Sequence, residues 1–123
     1  MSKRILVVDD EIALTRMVKM NLESAGDFVV RTVNRGSEAI SAAREFKPNM
    51  IFLDVMMPDM SGDEVALELR EDPLLAEIPM VFMTAIVTKS ETGSTGANIG
   101  GNEFLAKPAR TADLLAVIEK MTG

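Results

Sequence analysis

The sequence predicts a doubly wound α/β fold, in which helices cover both faces of a parallel sheet. Short runs that are apolar at every position alternate with longer stretches of helical period. Fully apolar runs are typical of strands buried on both faces, and strands that alternate with helices are typical of right-handed βαβ units. The strongest strand candidates are Ile5–Val8, Met50–Leu53 and Met80–Met83, and the weaker ones are Phe28–Val33 and Glu103–Ala106.

Apolar residues recur every three or four positions in four stretches of the chain, which predicts amphipathic helices there. Gly26 is a suitable stop for the first helix, Lys47-Pro48 ends the second, and the third ends near Pro73. Thr111 is the predicted N-cap of the last helix. The predicted helices cover residues 12–25, 37–46, 63–71 and 111–121.

Residues 86–102 should supply a further helix, the fourth in chain order, but this stretch is rich in glycine. It holds Gly93, Gly96, Gly100 and Gly101, four of the eight glycines in the chain. Each glycine inside a helix costs about 1 kcal/mol relative to alanine. We therefore expect this helix to be short, frayed or displaced.

The composition fits one soluble globular domain, residues 1–123. Apolar residues make up 47% of the chain and charged residues 26%, and no run of 18 apolar residues predicts a membrane-spanning helix. The net charge of −6 argues against a nucleic-acid surface, which needs clustered Lys and Arg. The N-terminus lacks the pattern of a signal peptide, so we expect a cytoplasmic protein.

The absence of cysteine and the absence of histidine each exclude a kind of chemistry. Without cysteine, the chain can form neither disulfides nor thiolate metal sites. Without histidine, it cannot use imidazole as a base, a metal ligand or a phosphoryl carrier. Any phosphohistidine in its biology must therefore belong to a partner.

Polar side chains stand at the C-terminal ends of four of the apolar runs. Asp9 and Asp10 follow the first run, Asp54 follows the third strand candidate, Thr84 the fourth and Lys107 the last. Ligands bind at this edge of an open α/β sheet. We therefore expect three carboxylates, a hydroxyl and an ammonium group to converge there.

This set of groups suits phosphoryl transfer. Three neighbouring carboxylates repel each other unless their pKa values rise or a cation lies among them, and oxygen ligands favour Mg²⁺. Beside a bound metal ion, Asp54 could attack phosphorus as a carboxylate nucleophile. Lys107 and Thr84 could stabilise the charge on the equatorial oxygens. Each residue alone has a plain structural explanation, as a cap, a turn or a strand end, but the ordered set does not.

The chain resembles the receiver domain of two-component response regulators over residues 3–122. The resemblance implies a flavodoxin-like (CheY-like) fold, with five parallel strands in the order 2-1-3-4-5 and five helices, of which the fourth would be irregular here. The segments that carry it are Val7–Glu11, Leu53–Gly62, Met83-Thr84-Ala85 and Phe104–Pro108.

The resemblance also implies a function in a phosphorelay. Asp54 would accept a phosphoryl group from the phosphohistidine of a histidine kinase or a phosphotransfer protein. Thr84 and Lys107 would contact the phosphoryl oxygens, and Phe104 would be the switch aromatic that swings inward when Thr84 engages. Such a domain catalyses only its own phosphorylation and dephosphorylation, so we do not expect an enzyme with a separate substrate.

The same resemblance implies a metal site. Asp10 and Asp54 would bind Mg²⁺ directly, together with the backbone carbonyl of Met56, while Asp9 would act mainly through water.

The implied partners are a phosphodonor and a downstream target. No output domain lies within the 123 residues. We expect either a stand-alone regulator that binds partner proteins or one part of a longer protein with an output domain. Direct contact with nucleic acid or membrane is not expected.

Three other functions fit the same residues less well. A receiver-like scaffold that is never phosphorylated would usually lack one residue of the set, which is complete here. A Mg²⁺-dependent phosphatase of the haloacid-dehalogenase type needs Asp-x-Asp after the first strand, where this chain has Glu11. A flavodoxin-like cofactor binder would need a neutral phosphate-binding loop in the place of Asp9–Glu11.

Overall fold

Five parallel strands form the sheet in the predicted order. The computed structural model describes residues 2–84, 97–99, 102–107 and 109–123. The strands are β1 (Lys3–Val8), β2 (Phe28–Val33), β3 (Met50–Asp54), β4 (Met80–Thr84), β5 (Ala97–Ile99) and β6 (Asn102–Ala106). The parallel strands run in the order β2-β1-β3-β4-β6, and the short strand β5 pairs antiparallel with β6 at one edge.

Four of the five predicted helices lie in the described residues. The second predicted helix begins with a 3₁₀ turn, Gly36–Glu38, and ends where Lys47 adopts the left-handed conformation with φ of 54°. Ser61 caps the third helix, since its hydroxyl accepts the backbone N–H of Glu64. The helices are α1 (Ile12–Ala25), α2 (Ala39–Phe46), α3 (Gly62–Glu71) and α4 (Thr111–Thr122).

The predicted N-cap of α4 is wrong by one residue. Thr111 is the first helical residue, and Arg110 occupies the N-cap position. The buried carboxylate of Asp113 accepts the Arg110 backbone N–H at 3.1 Å. A carboxylate in the first turn also interacts favourably with the positive end of the helix dipole, so α4 begins without a hydroxyl cap.

The glycine-rich stretch 86–102 differs from its prediction wherever it is described. Residues 97–99 form β5, and Asn102 already belongs to β6. Ala97 pairs with Phe104 and Ile99 with Asn102. The helix predicted here otherwise falls on residues 86–96 and 100–101, which lie outside the described residues.

Each face of the sheet has its own apolar core, which confirms the doubly wound arrangement. Alternate side chains of β1 and β3, such as Leu6 and Leu53, pack with α2 and α3 on one face. Their neighbours, such as Val7 and Phe52, pack with α1 and α4 on the other. Every residue of β3 is buried. No helix within the described ranges combines the length and apolar character needed to cross a membrane.

Candidate functional site

The strand ends bring the predicted polar residues to one edge of the sheet. Asp9 comes directly after β1, Asp54 and Thr84 are the last residues of β3 and β4, and Lys107 comes directly after β6. Asp54 lies opposite Met83 in the β3–β4 register. The backbone N–H of Lys107 donates to the carbonyl of Thr84 at 2.9 Å, which joins the ends of β4 and β6.

Lys107 is the centre of the charged cluster. Its Nζ lies 2.6 Å from Oδ2 of Asp9, 3.1 Å from Oδ1 of Asp54 and 3.4 Å from Oε1 of Glu11. Asp9 is fully buried and Asp54 is 4% exposed. An ion pair with such buried carboxylates is screened less by salt than a surface pair. Lys107 therefore holds together the ends of β1, β3 and β6.

Burial shifts the ionisation of these groups. It raises the pKa of the Asp54 carboxyl from 3.8 to about 6, helped by the charge of Asp9 and opposed by Lys107. Burial also raises the pKa of Asp9, against the hydrogen bond and charge of Lys107. For Lys107, burial lowers the pKa, but contact with Asp9 and Asp54 outweighs burial and leaves it raised. The cluster therefore carries an excess of negative charge that is costly without a further cation.

Three carboxylates could hold a metal ion at this edge. Asp9, Asp10 and Asp54 each offer an oxygen within 4.8 Å of the others. Oδ2 of Asp9 is buried and accepts no hydrogen bond of good geometry in the described residues, although Lys107 lies beside it as an ion pair. Asp10 is exposed, so the cluster is open to solvent on one side. An all-oxygen set with one open side fits Mg²⁺, which keeps several waters when bound.

The other predicted site residues lie around this cluster. Thr84 is 4% exposed at the end of β4. The Met56 backbone slightly lowers the pKa of the Asp54 carboxyl, against the larger effect of burial, and Met56 is 69% exposed. Phe104 is partly buried on β6 and stacks on Phe82, with ring centroids 5.4 Å apart. The assigned roles of Met56 as a metal ligand and of Phe104 as a switch remain predictions.

Sequence reasoning missed three residues that shape the site. Glu11 contacts Lys107, and Asn34 donates from Nδ2 to the backbone carbonyl of Asp9 at 2.8 Å. The Asp59 carboxylate accepts two backbone N–H groups of the 3₁₀ turn, at 3.2 and 3.1 Å, which ties the loop after Asp54 to the turn directly before α2. The signal for Asn34 was available, because it directly follows β2 as the other site residues follow their strands.

An acidic cluster held by a lysine at the carboxyl edge of a 2-1-3-4-5 sheet is the arrangement of a receiver domain. Residues 5–119 match the family described as the response regulator receiver domain. The chain belongs to this family. Its members generally act as phospho-acceptors of two-component systems.

Curated relatives and solved structures agree with this assignment. The chain is 36% identical over 121 residues to the phosphate regulon transcriptional regulatory protein PhoB of Rhizobium meliloti, covering 98% of this chain and 52% of that protein. It is 38% identical to the response regulator PleD of Caulobacter vibrioides, covering 99% of this chain and 26% of that protein. The chain thus spans about half and about a quarter of these relatives.

Two solved structures match this chain over nearly all of their length. The chemotaxis protein CheY4 of Vibrio cholerae superposes with a TM-score of 0.83 at 28% identity, covering 98% of this chain and 99% of that one. A putative response regulator from Chloroflexus aurantiacus gives 0.82 at 27% identity, covering 99% and 98%.

Proposed function

We propose that this domain accepts a phosphoryl group on Asp54 and uses the modified state to control the binding of a partner. The observation that best supports this proposal is the contact of Lys107 with both Asp9 and Asp54 at the open edge of the sheet. This contact places a buried carboxylate nucleophile beside a cation that can stabilise the negative charge of the phosphoryl oxygens. Asp10, on the exposed side, leaves a path for a donor.

The reaction needs a donor from outside the chain, which contains no histidine. An oxygen of Asp54 forms a bond to phosphorus while the phosphorus–nitrogen bond of a donor phosphohistidine breaks. The imidazole leaves with the electron pair of that bond and takes up a proton, and Asp54 becomes an acyl phosphate. The donor is a histidine kinase or a histidine phosphotransfer protein.

Mg²⁺ bound by Asp10, Asp54 and the carbonyl of Met56, with Asp9 acting mainly through water, would offset the charge of the incoming phosphoryl group. Lys107 and the Thr84 hydroxyl bind the phosphoryl oxygens, in line with the positioning and charge stabilisation that phosphoryl transfer requires. Lys107 is already beside the attacking carboxylate, so it needs little movement to do so.

The switch connects this site to the surface through β4 and β6. Thr84 moves toward the phosphoryl group, and Phe104, which stacks on Phe82, turns inward behind it. The output is a protein target or an output domain in a longer chain. The domain acts in the cytoplasm. It catalyses only its own phosphorylation and dephosphorylation and has no separate substrate.

Intact mass spectrometry after incubation with Mg²⁺ and acetyl phosphate tests this proposal. The wild type should gain one phosphoryl group and Asp54→Asn none. Asp63→Asn is the matched control, because Asp63 is an exposed aspartate in the first turn of α3, and it should still gain the group. A wild type that gains nothing, with acetyl phosphate and with a panel of phosphorylated histidine donors, would instead indicate an unphosphorylated scaffold.

A further inference from the structure

One side-chain amide joins three elements behind the acidic cluster. Nδ2 of Asn34, at the end of β2, donates to the backbone carbonyl of Asp9 at 2.8 Å and to Oγ1 of Thr15 at 3.0 Å. Both protons of the amide nitrogen are thereby used. Asn34 thus links the loop after β2 to the end of β1 and to α1.

Thr15 fixes the amide in turn. It is fully buried on α1, and its hydroxyl donates to the carbonyl of Ile12 at 3.0 Å while accepting from Asn34. A buried hydroxyl that loses a partner costs free energy. The position of the Asn34 amide is therefore set by the first turns of α1 and not by solvent.

The carbonyl that Asn34 holds belongs to the peptide that joins Asp9 to Asp10. A peptide unit is planar, so fixing its carbonyl also fixes the direction in which the chain enters Asp10. The rest of the turn is held as well, because the Asp9 N–H donates to the Val33 carbonyl at 3.0 Å and the Glu11 N–H donates to Oδ1 of Asp9 at 3.0 Å. Asp10 is exposed, so this backbone largely determines where its carboxylate lies.

We propose that Asn34 is a positioning residue that presents the Asp9–Asp10 pair to the metal ion. The inference rests on the proposed function, since it assigns Asn34 a part in the metal affinity of that site. Asn34 touches neither the metal nor the phosphoryl group and acts through the Asp9 carbonyl. Thr15 supports it as the second anchor of the amide.

Two measurements test the proposal on the whole chain. Titration calorimetry gives the dissociation constant for Mg²⁺, and amide hydrogen exchange in EDTA reports on the Glu11 N–H without any metal. Asn34→Ala should weaken Mg²⁺ binding about tenfold, the usual effect of removing a group that orients metal ligands, and should speed exchange at Glu11. Thr15→Val, of nearly the same shape, should act in the same direction, and Thr15→Ser should restore wild-type values.

Asn49→Ala is the matched control. Asn49 also binds the backbone through its side chain, accepting the Arg4 N–H at 2.7 Å, but it lies at the opposite edge of the sheet. Its loss should leave the Mg²⁺ dissociation constant and the exchange at Glu11 within twofold of wild type, even if overall stability falls. A purely structural role for Asn34 would make the two alanine variants behave alike.

The outcomes separate this inference from the proposed function. If the wild type binds Mg²⁺ and is phosphorylated, but folded Asn34→Ala and Thr15→Val both bind Mg²⁺ and exchange like the wild type, the inference is overturned and the function stands. If the wild type neither binds Mg²⁺ nor accepts a phosphoryl group, the proposed function fails and the inference fails with it.

Discussion

Replacing Asp54 by Asn should stabilise the metal-free protein at neutral pH, even though it removes a partner of Lys107. Asp54 is 4% exposed, and burial together with the charge of Asp9 raises its pKa from 3.8 to about 6. The folded protein therefore holds a proton on this carboxyl more tightly than the unfolded chain does. The charged form is the unfavourable one in the fold.

The sign and size of the effect follow from this difference in pKa. Below pH 3.8 the carboxyl is protonated in both states and costs no stability. Between pH 3.8 and about 6 the unfolded chain has released its proton while the folded state still holds it, so stability falls as the pH rises. The loss is complete once the pH has passed 6 and the folded state has released its proton as well. The difference between 3.8 and about 6 corresponds to about 3 kcal/mol. Asparagine is neutral at every pH, so the variant avoids this loss.

Urea unfolding in EDTA, from pH 4 to pH 8, measures the effect. The free energy of unfolding of Asp54→Asn should equal that of the wild type near pH 4 and exceed it by about 2 to 3 kcal/mol at pH 7.5. Mg²⁺ at ten times its dissociation constant should then stabilise the wild type by about 1.4 kcal/mol. The gap between the two proteins should narrow, because the variant has lost one ligand.

Asp72→Asn is the matched control, and its effect on stability at neutral pH should have the opposite sign. The Leu74 N–H and Arg44 lower the pKa of Asp72, so its contribution to stability is present at neutral pH and is lost as the pH falls. Its replacement should therefore destabilise the protein at pH 7.5. A gap between Asp54→Asn and wild type that is flat from pH 4 to pH 8, or negative at pH 7.5, would refute the reasoning for Asp54.

Three further substitutions test the scaffold by urea unfolding. Gly62→Ala should cost about 2 kcal/mol or more, because a Cβ there would collide with the Asp54 carbonyl; unchanged stability would contradict this close packing. Leu69→Ala should cost about 3 kcal/mol of unfolding free energy, because Leu69 on α3 is only 1% exposed. Leu67 on the same helix is 61% exposed, so Leu67→Ala should change stability by less than about 0.5 kcal/mol. Equal losses would contradict the assigned buried and exposed faces of the helix. Lys107→Ala should cost about 3 kcal/mol in EDTA at pH 7.5, because it leaves two buried carboxylates unpaired. It should cost less at pH 4.5, which lies below the Asp54 pKa of about 6; a loss independent of pH would contradict the ion-pair explanation.

The parallel sheet could be predicted because its strands are buried on both faces. Met50–Leu53 is apolar at every position, and each of these residues is buried. The site could be predicted for a related reason, since a polar residue directly after such a run must lie at the sheet edge. Asp54 and Lys107 are 53 residues apart in sequence and 3.1 Å apart in space. The position of the charged cluster could thus be predicted from the strand ends alone.

Strand β5 and the N-cap of α4 could not be predicted, because their sequence signals are short or mixed. Three residues, Ala97–Ile99, are too few to show a period of two, and the glycines beside them indicate only a poor helix. Gly100-Gly101 between the paired residues Ile99 and Asn102 is nevertheless a hairpin sequence, and it is the signal that could have found β5. The cap of α4 was missed because it comes from Asp113 inside the helix and not from the residue before it.

Ion pairing around Lys107 also lay beyond sequence reasoning. The residue types predict attraction among these groups, but not which carboxylate is nearest. In the structure Lys107 lies closest to Asp9, at 2.6 Å, and somewhat farther from Asp54, at 3.1 Å. This arrangement depends on side-chain length and on the register of β1, β3 and β6, which no single segment contains.

The antiparallel strand β5 has a consequence for how partners can recognise this side of the domain. β6 is hydrogen-bonded to β4 on one side and to β5 on the other over Asn102–Phe104. An incoming peptide therefore cannot extend the sheet by pairing with that part of β6, because its backbone groups are already engaged. A target that binds along this part of β6 must instead recognise side-chain shape and charge, so backbone complementarity cannot supply its specificity there.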